Sequence, residues 1–282
     1  MTRKVGYLGP QGTYCEEIAL SLYSGTTSQL LPFAGIDAAI RAVAAGEVAE
    51  SIVPVENSLE GSVNITLDTM AHDVDLFITK EVILPVRHNL LAKYNSRDIV
   101  AIVSHPQALA QCRKTLARLY PKAKLKPVES TAEAARIVAS GDGLYAAVGS
   151  EKAGKIYGLS VLAANIQDIP ANSTRFIGLE RQQAVAVQGR SKTSIVCQIN
   201  GEKPGSLCNI LQEFAQREVN LTRIESRPAR TGLGMYIFFF DIEGGMQSGN
   251  ISAALTAVKE KCLWYKNLGS YPVYQLMNSQ IH

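Results

Sequence analysis

Over the first 180 residues, short apolar runs alternate with alanine-rich amphipathic stretches, and this alternation restricts the fold more than any other feature of the chain. Strand-like runs fall at 4–8, 30–33, 51–55, 99–104, 125–128, 144–148 and 175–179, with helical patterns such as 37–45 and 131–139 between several of them. The pattern predicts an α/β fold with a mostly parallel sheet and helices on both faces. Thr13 with Glu16, Ser104 with Gln107 and Ser130 with Glu133 have the spacing of capping boxes at helix starts. Helix amino ends then collect beyond the carboxyl ends of the strands, the edge where open α/β sheets hold ligands and where backbone N–H groups favour anions.

A strand-like run at 76–86 followed by a Pro-interrupted passage predicts that the chain crosses into a second lobe near 75–85 and returns near 158–170. Two lobes joined by crossing segments make a hinged cleft. From Arg181 to Lys192 the sequence turns polar and glutamine-rich (Gln182, Gln183, Gln188), which divides a domain of residues 1–182 from a second of 193–282. The second reads strand 193–199, helix 206–217, a hairpin of 221–226 and 235–242, helix 251–261 and strand 271–276. That order is the βαββαβ arrangement of ferredoxin-like domains.

Several function classes are set aside by composition. A net charge of +3 is spread without a basic stripe, and Lys122, Lys124 and Lys126 alternate with Ala123 and Leu125 as a solvated face does, so no nucleic-acid partner is expected. Cys15, Cys112, Cys197, Cys208 and Cys262 are odd in number and scattered, the pattern of free thiols in a reducing, cytoplasmic compartment. The four histidines have no metal-ligand spacing, and no metal is expected. The strongest apolar run, 235–240, is too short to cross a bilayer, so no membrane partner is expected either.

Four polar clusters stand at predicted strand ends. Gly6, Gly9 and Gly12 form a loop before Thr13, but its spacing and the absence of an acid closing the next strand exclude a dinucleotide fingerprint; a tight turn or close approach to a small anion remains. Glu56, Asn57 and Ser58, followed by Gly61, bring a carboxylate, an amide and a hydroxyl to one strand end. Ser104, His105 and Gln107 do so at another, with His105 either a base or a structural histidine. Asn172, Ser173, Thr174, Arg175 and Phe176 place a hydroxyl beside a fixed bidentate donor, which suits a carboxylated substrate or else a surface ion pair. Their convergence in one cleft points to a site more strongly than any one of them.

The segments 7–13, 53–58 with Gly61, 104–109 and 174–176 resemble, in order, the motifs of prephenate dehydratases. Glu225, Ser226, Arg227 and Pro228, with the turn at Gly205, resemble the family's attached ACT domain, and the likeness covers essentially the whole chain. Tyr14 and Cys15 stand where the family usually has Phe and Ser, and Ser206 stands in its Gly-Ala-Leu turn, all size-conserving departures. The resemblance implies a two-lobed catalytic domain like that of periplasmic binding proteins, followed by a ferredoxin-like ACT domain. It also implies a monofunctional, cofactor-free lyase that turns prephenate into phenylpyruvate and is inhibited by L-phenylalanine.

On that resemblance Arg175, helped by helix amino ends at Gly12, Thr13 and Ser104, holds the substrate carboxylates. Thr174 or Glu56 donates to the leaving hydroxyl, Asn57, Ser58 and Gln107 orient the ring and side chain, and His105, Asn172 and Phe176 are further substrate-binding residues. Phenylalanine is expected at Gly205, Ser206, Leu207, Asn220, Leu221 and Glu225 to Pro228, on the interface of a homodimer or homotetramer. Arogenate dehydratase, which takes an amino acid in place of the keto acid, and a non-catalytic hinged sensor are the alternatives.

Overall fold

The computed structural model describes residues 2–93, 98–184, 189–201, 203–232 and 234–276; Met1, Gln188 of the glutamine-rich passage and positions 277–282 of the second domain lie outside the described residues. The first lobe contains β1 (Lys4–Leu8), α1 (Tyr14–Tyr23), β2 (Gln29–Phe33), α2 (Ile36–Ala44), β3 (Glu50–Asn57), β4 (Gly61–Ser62), α3 (Asn64–His72) and β5 (Phe77–Pro85). The chain then builds a second lobe from β6 (Asn89–Ala92), β7 (Ala101–Ser104), α4 (Pro106–Gln111), α5 (Arg113–Leu119), β8 (Lys124–Pro127), α6 (Thr131–Ser140), β9 (Tyr145–Gly149), α7 (Glu151–Tyr157) and β10 (Ser160–Ala163). It returns through β11 (Ser173–Glu180) and ends in β12 (Ser191–Gln198), α8 (Ser206–Ala215), β13 (Leu221–Pro228), β14 (Tyr236–Glu243), α9 (Gly249–Lys261) and β15 (Trp264–Gln275).

Local chemistry accounts for the helix starts that face the cleft. Thr13 and Ser130 accept from the backbone N–H of Glu16 and Glu133, satisfying donors that α1 and α6 leave open. At α4 the expected cap moves by one residue. His105 is the cap, its Nδ1 accepting from Gln107 N, because Pro106 sits in the first turn; Ser104 instead donates to Val148 O below the helix.

The sheets are mixed rather than mostly parallel. Strands β1, β2 and β3 pair in parallel, as do β7, β8 and β9, but β11 runs antiparallel to β3 and β5, and β6 antiparallel to β9 and β10. A helical crossover enforces parallel pairing, and the strands that carry the chain between lobes have no such crossover. The second lobe is a five-stranded sheet in the order β10-β6-β9-β7-β8. The other sheet is ten-stranded and runs β13-β14-β12-β15-β5-β11-β3-β1-β2, with β4 on β3. It joins both ends of the chain because β15 pairs with β12 and then, at Val273 to Gln275, with β5.

The strand β15 begins at Trp264 rather than near Tyr271. Its alternation is broken by a bulge where Gly269, at φ +103°, and Asn267 face consecutive residues of β12. One face of the carboxyl-terminal sheet is covered by α8 and α9, through Ile210, Phe214, Ile251, Leu255 and Val258. The other face, with Val196, Phe239 and Leu268, shares a core with Leu67, Met70 and Val74 of the first lobe. Arg227 of β13 reinforces this contact with a bidentate pair to Asp68 on α3, at 2.9 and 2.8 Å. Leu67→Ala is expected to cost about 2–5 kcal/mol of stability, because it removes a fully packed side chain from this shared core. Thermal melting of the full chain checks this; an unchanged midpoint would mean the face is not packed. Among the described residues no helix is long and apolar enough to cross a membrane.

Candidate active site

The chain passes between lobes at 86–88 and 164–172, and a cavity of about 260 Å³ opens on one side of these passages. Thr13, Tyr14 and Cys15 line it from the start of α1, and Ser130 and Thr131 from the start of α6 in the other lobe. Thr174, Phe176, Asn57, Pro54 and Asn172 form its floor, and His105, Gln107, Gln111 and His88 its far wall. A larger cavity of about 560 Å³, beside Glu17, Arg87 and Lys152, contains none of the predicted site residues.

A hydrogen-bond chain crosses the floor. The Asn57 side-chain oxygen accepts from Leu59 N and Glu60 N at 3.0 and 3.2 Å, which fixes the orientation of its amide. Its nitrogen donates to Asn172 Oδ1 and to Thr174 Oγ, each at 2.9 Å. Asn172 donates in turn to Gln111 Oε1, which also lies 2.9 Å from His88 Nε2. An amide oxygen only accepts, so His88 Nε2 carries the hydrogen and Nδ1 is a buried acceptor without a partner. With its acceptor side taken by Asn57, the Thr174 hydroxyl keeps its own hydrogen for another group.

Burial depresses the His88 pKa from its ordinary value, with the Gln111 contact opposing the shift. The neutral ring therefore belongs to the folded state, and below about pH 6.5 the unfolded chain binds the extra proton. Stability should fall as pH drops through that window. His88→Gln should flatten the decline in melting temperature between about pH 7 and 5; an unchanged slope would assign the decline to other groups. Burial also pushes the Cys15 thiol up to about 12, so it stays protonated in the cavity wall.

Of the predicted substrate contacts, Thr13, His105, Gln107, Asn172, Phe176, Asn57 and Thr174 line this cavity. Gly12 and Ser104 do not. The Gly12 N–H is spent on Glu16, at 2.7 Å, and its positive φ of +88° lets the loop run against Ala132, Ala153 and Tyr157 of the second lobe. Ser58 binds the Ser173 N–H and staples the ends of β3 and β11 instead.

Arg175 and Glu56 also lie off the cavity lining. Successive strand residues point to opposite faces, so Thr174 and Phe176 face the cleft while Arg175 points the other way. There its guanidinium meets Glu56 at 2.6 Å, Glu81 at 2.5 Å and Asp241 of β14 at 2.9 Å. The expected carboxylate clamp is thus already occupied by protein carboxylates, and among the described cavity-lining residues there is no Lys or Arg. His88 and Gln111 were not among the expected site residues; they lie far from Asn57 in sequence and carry no motif.

In the carboxyl-terminal sheet, Gly205 takes a positive φ of +81° before α8. Glu225 accepts from Ser62, and Arg227 is bound to Asp68, so both side chains face the first lobe while Ser226 is exposed. Asn220 donates to Glu243. The predicted effector residues therefore divide among the start of α8, the exposed edge of β13 and the contacts that β13 makes with β4 and α3.

A cleft between two α/β lobes, lined by the Glu129 carboxylate and otherwise by polar and apolar groups without a Lys or Arg, and continuous with a βαββαβ sheet, defines a two-lobed small-molecule enzyme fused to a sensory module. Residues 5–184 match the prephenate dehydratase family and residues 193–260 the ACT domain, and the chain belongs to the prephenate dehydratase family. It is 39% identical over 277 residues to the prephenate dehydratase of Lactococcus lactis subsp. cremoris, covering 97% of this chain and 99% of that one. The prephenate dehydratase of Arthrobacter aurescens, solved in complex with L-Phe, superposes with a TM-score of 0.86 at 36% identity, covering 95% and 90% of the two chains. A solved protein described as a novel type of quorum quenching acylase superposes at 0.83 with 28% identity, covering 96% and 98%. One scaffold thus carries more than one ascribed activity, and the site has to decide between them.

Proposed function

We propose that the cleft binds prephenate and releases phenylpyruvate, carbon dioxide and water. The observation that carries this reading is the Thr174 hydroxyl, oriented by Asn57 in a cavity flanked by two helix amino ends from opposite lobes. Prephenate carries a carboxylate and a pyruvyl side chain, which ends in a second carboxylate, on one ring carbon, and its hydroxyl on the ring carbon opposite. The N–H groups at the starts of α1 and α6 suit the carboxylates in a cavity without cationic side chains. Thr174 donates to the departing hydroxyl. Its hydroxyl is too weak an acid to give up a proton outright, so its contribution is a directed hydrogen bond to oxygen as charge develops there.

Glu56 is the weaker candidate for this donor because it pairs with Arg175 on the opposite face of the strand. Phe176, Pro54, Leu8 and Val86 supply apolar walls that keep water from the ring. The electron pair of the breaking C–CO₂ bond closes the aromatic ring as the C–O bond breaks, and the departing hydroxide, held by the Thr174 hydrogen bond, takes up a proton from solvent to leave as water. His105 and Gln107, both in the cavity wall, meet the pyruvyl side chain in this reading.

L-Phenylalanine is the proposed effector, bound where Gly205, Ser206 and Leu207 begin α8 and the exposed edge of β13 carries Ser226. A second copy of the chain pairing along β13 completes that site, giving a homodimer or a larger homo-oligomer in the cytoplasm. The deciding experiment is a spectrophotometric assay of the purified chain for phenylpyruvate from prephenate, with arogenate and an acylated quorum signal as alternative substrates. Turnover of the acylated signal with none of prephenate would overturn the dehydratase reading.

A further inference from the structure

The charge cluster behind Thr174 is larger than an ordinary ion pair. Glu81, fully buried, receives Arg175 on one oxygen and Lys192 Nζ on the other, at 2.5 and 2.7 Å. Asp241 receives Arg175 on one oxygen and the Ser194 hydroxyl, at 2.5 Å, on the other; Ser194 also bonds Tyr271. Arg223 of β13 approaches Glu56 at 3.6 Å. Burial opposes the charge on Arg175, and the fields of Asp241 and Glu81 more than restore it. Such a buried network is a poor source of stability compared with apolar packing, but it fixes geometry strongly.

What it fixes is the catalytic floor. Thr174 is registered against Asn57 and Arg175 against Glu56, but Phe176 is registered against Pro54, so β3 carries an extra residue, Val55, at this point. A bulge re-aims the side chains around it and loosens the ladder. On one face of this bulge lies the Asn57 to Thr174 hydrogen bond, and on the other lies the Arg175 to Glu56 ion pair. The two pairs share the same two stretches of backbone.

We infer that Arg175 is a positioning residue, which holds the bulged pair of strands so that Thr174 and Asn57 meet in the cleft, and that Asp241 is the carboxyl-terminal sheet's hold on it. The inference rests on Thr174 as donor. Glu56 and Glu81 anchor Arg175 from within the first lobe; Asp241 and Ser194 add an anchor that moves with the sensory sheet. A shift of that sheet therefore reaches Thr174 through one guanidinium.

The test is a kinetic cycle on the full chain. Arg175→Lys should lower kcat by roughly 10- to 100-fold with KM within about threefold, the cost of a small misplacement. A clamp on substrate carboxylate would do the reverse, raising KM with kcat kept, and that result overturns the inference. In a Thr174→Ala background the same change should cost less than about twofold, because its effect runs through Thr174. Equal losses in both backgrounds also overturn it. A Thr174→Ala enzyme of wild-type turnover would instead sink the donor reading itself. If Arg175→Lys does not fold, Glu56→Gln serves in the same cycle with the same expected signs. Asp241→Asn and Ser194→Ala, which leave the first-lobe anchors in place, should change uninhibited kcat less than Arg175→Lys and blunt inhibition by added L-phenylalanine; full inhibition in both removes Asp241 from the scheme.

Discussion

Thr174→Ala is expected to lower kcat for prephenate by about 10² to 10⁴ while leaving the melting temperature close to wild type. The side chain is half-buried at the cleft floor and makes one hydrogen bond, to Asn57, so its loss removes little packing. Its methyl is dispensable. Thr174→Ser should therefore keep turnover within about tenfold, because it retains the hydroxyl and the Asn57 contact but gains rotamer freedom. KM should move little in either variant, since the interaction is made with charge that develops only as the C–O bond breaks. Near wild-type kcat in Thr174→Ala, measured as phenylpyruvate release, would exclude this hydroxyl as the donor.

The second large effect concerns inhibition. Arg227→Ala is expected to raise the L-phenylalanine concentration for half inhibition by about 5- to 150-fold, the usual span of a coupling between two sites. Arg227 carries a bidentate pair to Asp68 of α3, which is the most direct charged link between β13 and the first lobe outside the Arg175 cluster. The pair holds the Asp68 carboxylate below its ordinary range, first through the hydrogen bond itself and then through the field of the guanidinium. To the extent that phenylalanine inhibits by weakening prephenate binding, saturating prephenate must weaken phenylalanine binding by that same coupling factor. Calorimetric titration of phenylalanine with and without a slow substrate analogue reads that factor. Inhibition that is unchanged in Arg227→Ala would place the coupling elsewhere.

The parts of this molecule that depend on local rules could be read from the sequence. The caps at Thr13 and Ser130, the carboxyl-terminal βαββαβ order and the presence of Asn57 and Thr174 in one cleft all follow from spacing or motif. The period of a strand also implied that Thr174 and Arg175 face apart, but the pattern does not say which face meets the cleft and which a buried carboxylate. Asp241 lies 66 positions from Arg175 and Glu81 lies 94, and nothing in either neighbourhood announces the pairing. The His88 to Gln111 link is hidden for the same reason. At α4 a local rule misled, because Pro106 moved the cap from Ser104 to His105.

The double allegiance of β15 has a mechanical consequence. Main-chain hydrogen bonds run without a break from the sensory edge at β13, through β15 and β5, to the strand that bears Thr174. Among the described residues the sheet has no break along which the two parts could simply hinge. Reorientation of the sensory sheet is therefore carried as added or released twist in a single continuous sheet, and the bulge at Val55, where the ladder beside Thr174 is interrupted, lies in the path of that twist.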